Sequence, residues 1–111
     1  MVVNRKESQQ IHRLRKQVDQ ADRRLLGSLN VRFDSVKEIA RIKKIIGLPV
    51  LQKSRWQELI KNRVQVAQKE FKLDPRFTKK LFTLIHEEAL RMQRKIVRRS
   101  RKRSCLVGRE E

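Results

Sequence analysis

At 111 residues the chain is long enough for one modest core and too short for two. Thirty Lys and Arg against twelve Asp and Glu give a formal charge of +18 at a mean hydropathy of −0.73, far more charge than solubility requires, so an anionic partner is implied: a small molecule, nucleic acid or an anionic surface. A single cysteine, Cys105, excludes an intrachain disulfide and a clustered-thiolate metal site, while MVVNRKESQQ holds no apolar core of signal-peptide length and no apolar run reaches the roughly 18 residues of a membrane span, so a cytosolic protein with no membrane partner is expected.

From about Ser8 to Ile46 no proline intervenes, and Ile11, Leu14, Val18, Ala21, Leu25, Leu29, Val36, Ile39 and Ile42 recur mostly at steps of three or four. The spacing predicts one helix on the order of 55 Å long, whereas a compact domain of this length has a radius of gyration of only roughly 13 Å. One copy cannot cover such a stripe, so a second copy or another helical partner is expected to bury it. Gly47-Leu48-Pro49 stops this helix, the glycine suiting a left-handed C-cap and the proline forbidding continuation. A short connector, Val50 to Ser54, leads into a second helix from about Ser54 to Lys72, with Trp56, Leu59, Ile60, Val64, Ala67 and Phe71 on one side. Asp74-Pro75 restarts the chain as a third helix, because aspartate caps free amides and proline at the first helical position forfeits nothing. Its expected buried stripe is Phe77, Leu81, Leu84, Ile85, Ala89, Met92 and Ile96.

The expected fold is therefore an all-α, three-helix chain with a very long first helix. No strand pattern, internal repeat or glycine-rich phosphate loop is present in the sequence. After Ile96, VRRSRKRSCLVGREE loses its stripe; residues 1–96 read as the domain and 97–111 as a basic tail expected to fray into disorder.

Along the first helix, Arg32 and Lys43 lie about 16 Å apart, close enough to frame a small molecule. Arg15 is too distant to join them within one chain, but in an antiparallel pair it would approach the Lys43 end of the partner. Arginine forks hold carboxylates through paired hydrogen bonds, and a lysine ammonium suits a single oxygen. The plainer reading of any one of these cations is a solvated basic face. His12 and His86 lack metal-ligand companions, and Asp19 and Asp22 read as helix ion pairs with Lys16 and Arg23. No metal site, nucleophile or acid–base pair is supported. RRSRKR at 98–103 could touch nucleic acid nonspecifically, although a terminal charge run is usually only solvated.

Four collinear blocks carry a family likeness: LRKQVDQADRRLLGSLNVR at 14–32, EIARIKK at 38–44, LPVLQKSRW at 48–56 and LFTLIHEEALRMQ at 81–93. Together they resemble the all-helical chorismate mutases of the AroQ class, over roughly residues 8–96. The branch most resembled opens its second helix with Gln, two residues and Arg-Trp. The resemblance implies an intertwined homodimer of three-helix chains, needing no cofactor, that rearranges the dianion chorismate to prephenate in aromatic amino-acid biosynthesis. It further implies that Arg15 of the partner chain and Arg32 grip carboxylates, that Lys43 and Gln93 bracket the ether oxygen, and that Arg55 completes the pocket. Three matching positions depart from the best-known bacterial pattern: Gln52 replaces an acidic residue, Trp56 stands where a glutamate often binds the substrate hydroxyl, and Ala89 replaces a serine. Rival readings on this fold are a 4-amino-4-deoxychorismate mutase and an isochorismate–pyruvate lyase, separable only near Gln52 and Trp56. A basic helical nucleic-acid-binding protein is weakened by the absence of tyrosine and of interleaved aromatics for stacking, and a non-catalytic domain that docks a partner enzyme is the remaining reading.

Overall fold

A computed structural model of the chain describes residues 4–110, with side chains as far as Arg99. Three helices follow in order, α1 (Arg5–Ile46), α2 (Lys53–Phe71) and α3 (Pro75–Glu110), with no strand among the described residues. The chain divides into two units, Met1–Asp34 and Ser35–Glu111.

The first unit is helical from Arg5. It begins three residues before the expected Ser8, because the Asn4 carboxamide accepts the Lys6 amide at 3.0 Å and caps the first turn. No described residue of this unit is buried; Leu29, Arg32 and Phe33 are half-covered. Ile11, Leu14, Val18, Leu25, Leu26 and Val31 each keep between 46 and 67 % of their surface in solvent. The apolar stripe read from the sequence is thus present and uncovered.

The second unit contains the end of α1, all of α2 and all of α3. Helix α1 closes as expected: Gly47 adopts φ 77 and the Leu48 amide donates to the Lys43 carbonyl at 2.8 Å, a Schellman closure that only a residue free of Cβ enters without strain. Helix α2 starts at Lys53 rather than Ser54, with Gln52 as N-cap, and ends on Lys72 in the left-handed region at φ 54. Asp74 caps α3 as expected, its carboxylate accepting the Arg76 amide at 2.9 Å, while its carbonyl accepts both the amide and the hydroxyl of buried Thr78. The link from α2 to α3 is therefore short and satisfied, and the two helices pack on one another as a hairpin. Ala40, Leu59, Ala67, Ile85 and Ala89 form the buried apolar set. Three of these five are alanines, which let helix backbones approach closely.

One expectation about α3 needs correction. Phe77 and Leu84, placed on its buried stripe, are 53 and 65 % exposed. Periodicity identifies which residues share a face and is silent about whether one chain suffices to cover it. The helical backbone runs on to Glu110, and Ile96 and Val97 are half-buried. Arginine, lysine and leucine are good helix formers, so loss of the stripe does not end the backbone hydrogen bonding. The side chains of most of RRSRKR and of Cys105 lie outside the described residues.

Candidate active site

Lys43 occupies the last turn of α1, where the Schellman turn returns the chain over its own helix end. That return places the Val50 carbonyl 2.8 Å from Lys43 Nζ. From α3, Gln93 brings Oε1 to 3.1 Å from the same nitrogen. Fifty residues of sequence separate the two side chains, so this contact is a product of the tertiary fold. Lys43 is half-buried, and the loss of solvent around its ammonium lowers its pKa below the ordinary lysine value of 10.5. Gln93 is 7 % exposed.

An ammonium is a donor with no acceptor capacity, so it must meet the oxygen of the Gln93 amide and not its nitrogen. This orientation leaves Gln93 Nε2 with two N–H donors directed elsewhere. Lys43 Nζ has likewise committed two of its three protons. The pair therefore presents donors of net positive character from a partly desolvated position, an arrangement suited to stabilising negative charge on a bound group. Beside it lies a cleft of about 430 Å³ lined by Lys43, Lys44, Gly47, Leu48, Pro49, Val50 and Val97.

Four other expected site residues lie in this second unit. Gln52, half-buried at the start of α2, uses its carbonyl to accept the Trp56 amide at 3.0 Å, while its side chain makes no capping bond. Arg55 is exposed in the first turn of α2. Trp56 is half-buried and lies flat against the His86 ring of α3, with centroids 4.0 Å apart and planes 10° from parallel. Ala89 is buried at 4 % exposure. Because His86, Ala89 and Gln93 follow one another at steps of three and four, they share a face of α3. The remaining two expected residues belong to the first unit, where Arg15 is exposed and Arg32 half-buried.

The structure thus joins Lys43 to Gln93 directly and Trp56 to His86. The sequence reading passed over Lys44, Val97, the Val50 carbonyl and His86 as parts of this neighbourhood. A signal existed for His86, which lies seven residues before Gln93 on one helix face; a backbone carbonyl has no sequence signal at all. Among the described residues no three His, Cys, Asp or Glu side chains gather as a metal site, and no helix is long and apolar enough to cross a membrane.

Comparison with known proteins bears on the same stretch of chain. The family model described as chorismate mutase type II matches residues 14–94, which include every expected site residue from Arg15 to Gln93. No curated protein matches the chain.

Proposed function

The chain belongs to the type II chorismate mutase family, and from that premise we propose that it converts chorismate to prephenate as a homodimer. The observation that carries this reading is the Lys43–Gln93 hydrogen bond. In the rearrangement a C–O bond breaks as a C–C bond forms, no proton moves, and negative charge develops on the ether oxygen. Such a reaction needs no base and no nucleophile. It needs the folded conformer held and donors aimed at that oxygen. The third proton of Lys43 Nζ and the Nε2 protons of Gln93 are those donors. Chorismate is a dianion, and Arg32, Arg55 and Arg15 of the partner subunit hold its carboxylates through paired hydrogen bonds.

Support for the dimer comes from the first unit. A buried Leu, Ile or Val contributes about 1.5–3 kcal/mol, so the four half-exposed side chains of the stripe, Ile11, Leu14, Val18 and Leu25, leave on the order of 3–6 kcal/mol of burial unrealised in a single chain. A second α1 laid along the stripe recovers it and brings Arg15 to the partner's site. Gln52, Trp56 and Ala89 stand in place of the more polar residues of the best-known pattern, and Ala89 lies one helical turn from Gln93.

Incubating the purified chain with chorismate and identifying the product by chromatography tests this reading. Prephenate is the expected product. Release of pyruvate from isochorismate, turnover confined to 4-amino-4-deoxychorismate, or no turnover of any of these would overturn it in favour of a related lyase, an amino-analogue mutase or a non-catalytic domain.

A further inference from the structure

Trp56 is the chain's sole tryptophan, and the chain has no tyrosine. Its indole is half-buried. It lies parallel to the imidazole of His86 at 4.0 Å, and this ring pair joins α2 to α3. Seven residues separate His86 from Gln93 on α3, so the stack sits about 10 Å along that helix from the Lys43–Gln93 donors. Between them on the same face is Ala89, whose methyl group projects least of any side chain. The face thus carries a flat aromatic pair at one end, charged donors at the other, and a small residue in the middle.

We infer that His86 is a positioning residue, fixing the Trp56 indole as an aromatic wall of the substrate pocket at the end away from the donors. The inference rests on the mutase reading and deepens it, because it assigns a role to a residue outside the donor set. A tryptophan in the first turn of a helix has several χ1 and χ2 combinations open to it. A parallel ring at van der Waals distance selects one of them and covers one indole face, so the indole is held in a single orientation. His86 lies two helical turns, about 10 Å along α3, from Gln93, so its contribution falls on substrate binding and not on the chemical step.

The test replaces His86 in the full chain by Leu, which fills the space without a flat ring, and by Phe, which restores one. Two measurements are taken on each: Trp56 emission, which no other residue contaminates, and steady-state kinetics with chorismate. His86→Leu is expected to shift emission to longer wavelength and raise KM by about three- to tenfold, the range that one aromatic pair supports, with kcat within about twofold of the parent. His86→Phe is expected to restore both emission and KM. A folded His86→Leu chain with parental emission and parental KM overturns the inference, as does a folded His86→Phe chain that fails to restore them. A fall in kcat with unchanged KM overturns it too, because it would place His86 in the chemical step. A parental chain with no chorismate turnover overturns the mutase reading itself, an outcome distinct from all of these.

Discussion

Replacing Lys43 by Met keeps the apolar stem and deletes little but the ammonium. In the parent, two Nζ protons are held by Val50 O at 2.8 Å and Gln93 Oε1 at 3.1 Å, leaving the third for the ligand. The substitution therefore removes one donor outright and also releases the Gln93 amide, whose oxygen no longer has a cation to face. A single preorganised donor at a developing anion contributes ~10²–10³ in turnover. With the second donor misdirected part of the time, kcat should fall by roughly 10³, about 4 kcal/mol at the transition state. Stability should change much less. The lost hydrogen bonds are made by a half-exposed ammonium, where solvent screening and rehydration of the freed partners hold the net change in unfolding free energy to within about 2 kcal/mol. Initial rates with chorismate give the first quantity and urea unfolding followed by circular dichroism the second. The same lysine sets an alkaline limb: parental kcat/KM, which reports the free chain, should decline as Nζ loses its proton, with a midpoint below 10.5, and the Met variant should lack that limb. Stability runs the other way. Between the folded and unfolded pKa values the unfolded chain binds more protons, so the Lys43 contribution rises with pH through that window. A folded Lys43→Met chain with kcat within tenfold of the parent would refute the donor mechanism.

Arg15→Ala and Arg55→Ala chains should each be inactive, yet a mixed dimer should recover one complete site, because the pocket with intact Arg55 receives Arg15 from its partner; no recovery after confirmed subunit exchange means that Arg15 serves its own chain. Lys72→Gly should raise unfolding free energy by about 0.5–1 kcal/mol, since φ 54 strains an L-residue, and the melting temperature at fixed protein concentration should rise accordingly. Ending the chain after Arg99 should leave chorismate turnover intact and weaken nonspecific polyanion binding. Val97 must be kept, because it lines the cleft beside Lys43. Light scattering should report a dimer, and a stable folded monomer would leave the exposed α1 stripe without an explanation.

The helices were legible where local chemistry decides them. Gly47 and Pro49 mark the end of α1 and Asp74-Pro75 the start of α3, because a left-handed cap and an amide-accepting carboxylate are requirements of the nearest few residues. The start of α1 at Arg5 was missed, since Asn4 caps a turn with no apolar periodicity to announce it. Burial was harder to read than periodicity. Phe77 and Leu84 keep helical time with Ile85 and Ala89, but only the latter two are covered within one chain. The candidate site residues were named through their family likeness and not through spacing: Lys43 and Gln93 are fifty residues apart, and nothing local tells a lysine that meets a glutamine from the chain's many solvated cations. The pairing of Trp56 with His86 had no sequence signal, because stacking depends on the α2–α3 register.

Lys43 is tied to the turn that follows it at both ends of the residue: its carbonyl accepts the Leu48 amide and its ammonium donates to the Val50 carbonyl, each at 2.8 Å. A free lysine side chain carries about 2 kcal/mol of rotamer entropy. Here a short loop removes that freedom during folding, before any ligand arrives, so the encounter with an anion does not have to freeze four torsions. Under the proposed mutase function, Gly47 would thereby act on catalysis from outside the chemistry. A Cβ at this position would meet nothing within 4 Å, but φ 77 would strain it, and any relaxation of the turn would return disorder to the ammonium it helps to hold. Gly47→Ala should consequently depress turnover through the activation entropy, with a change in rate out of proportion to its change in melting temperature.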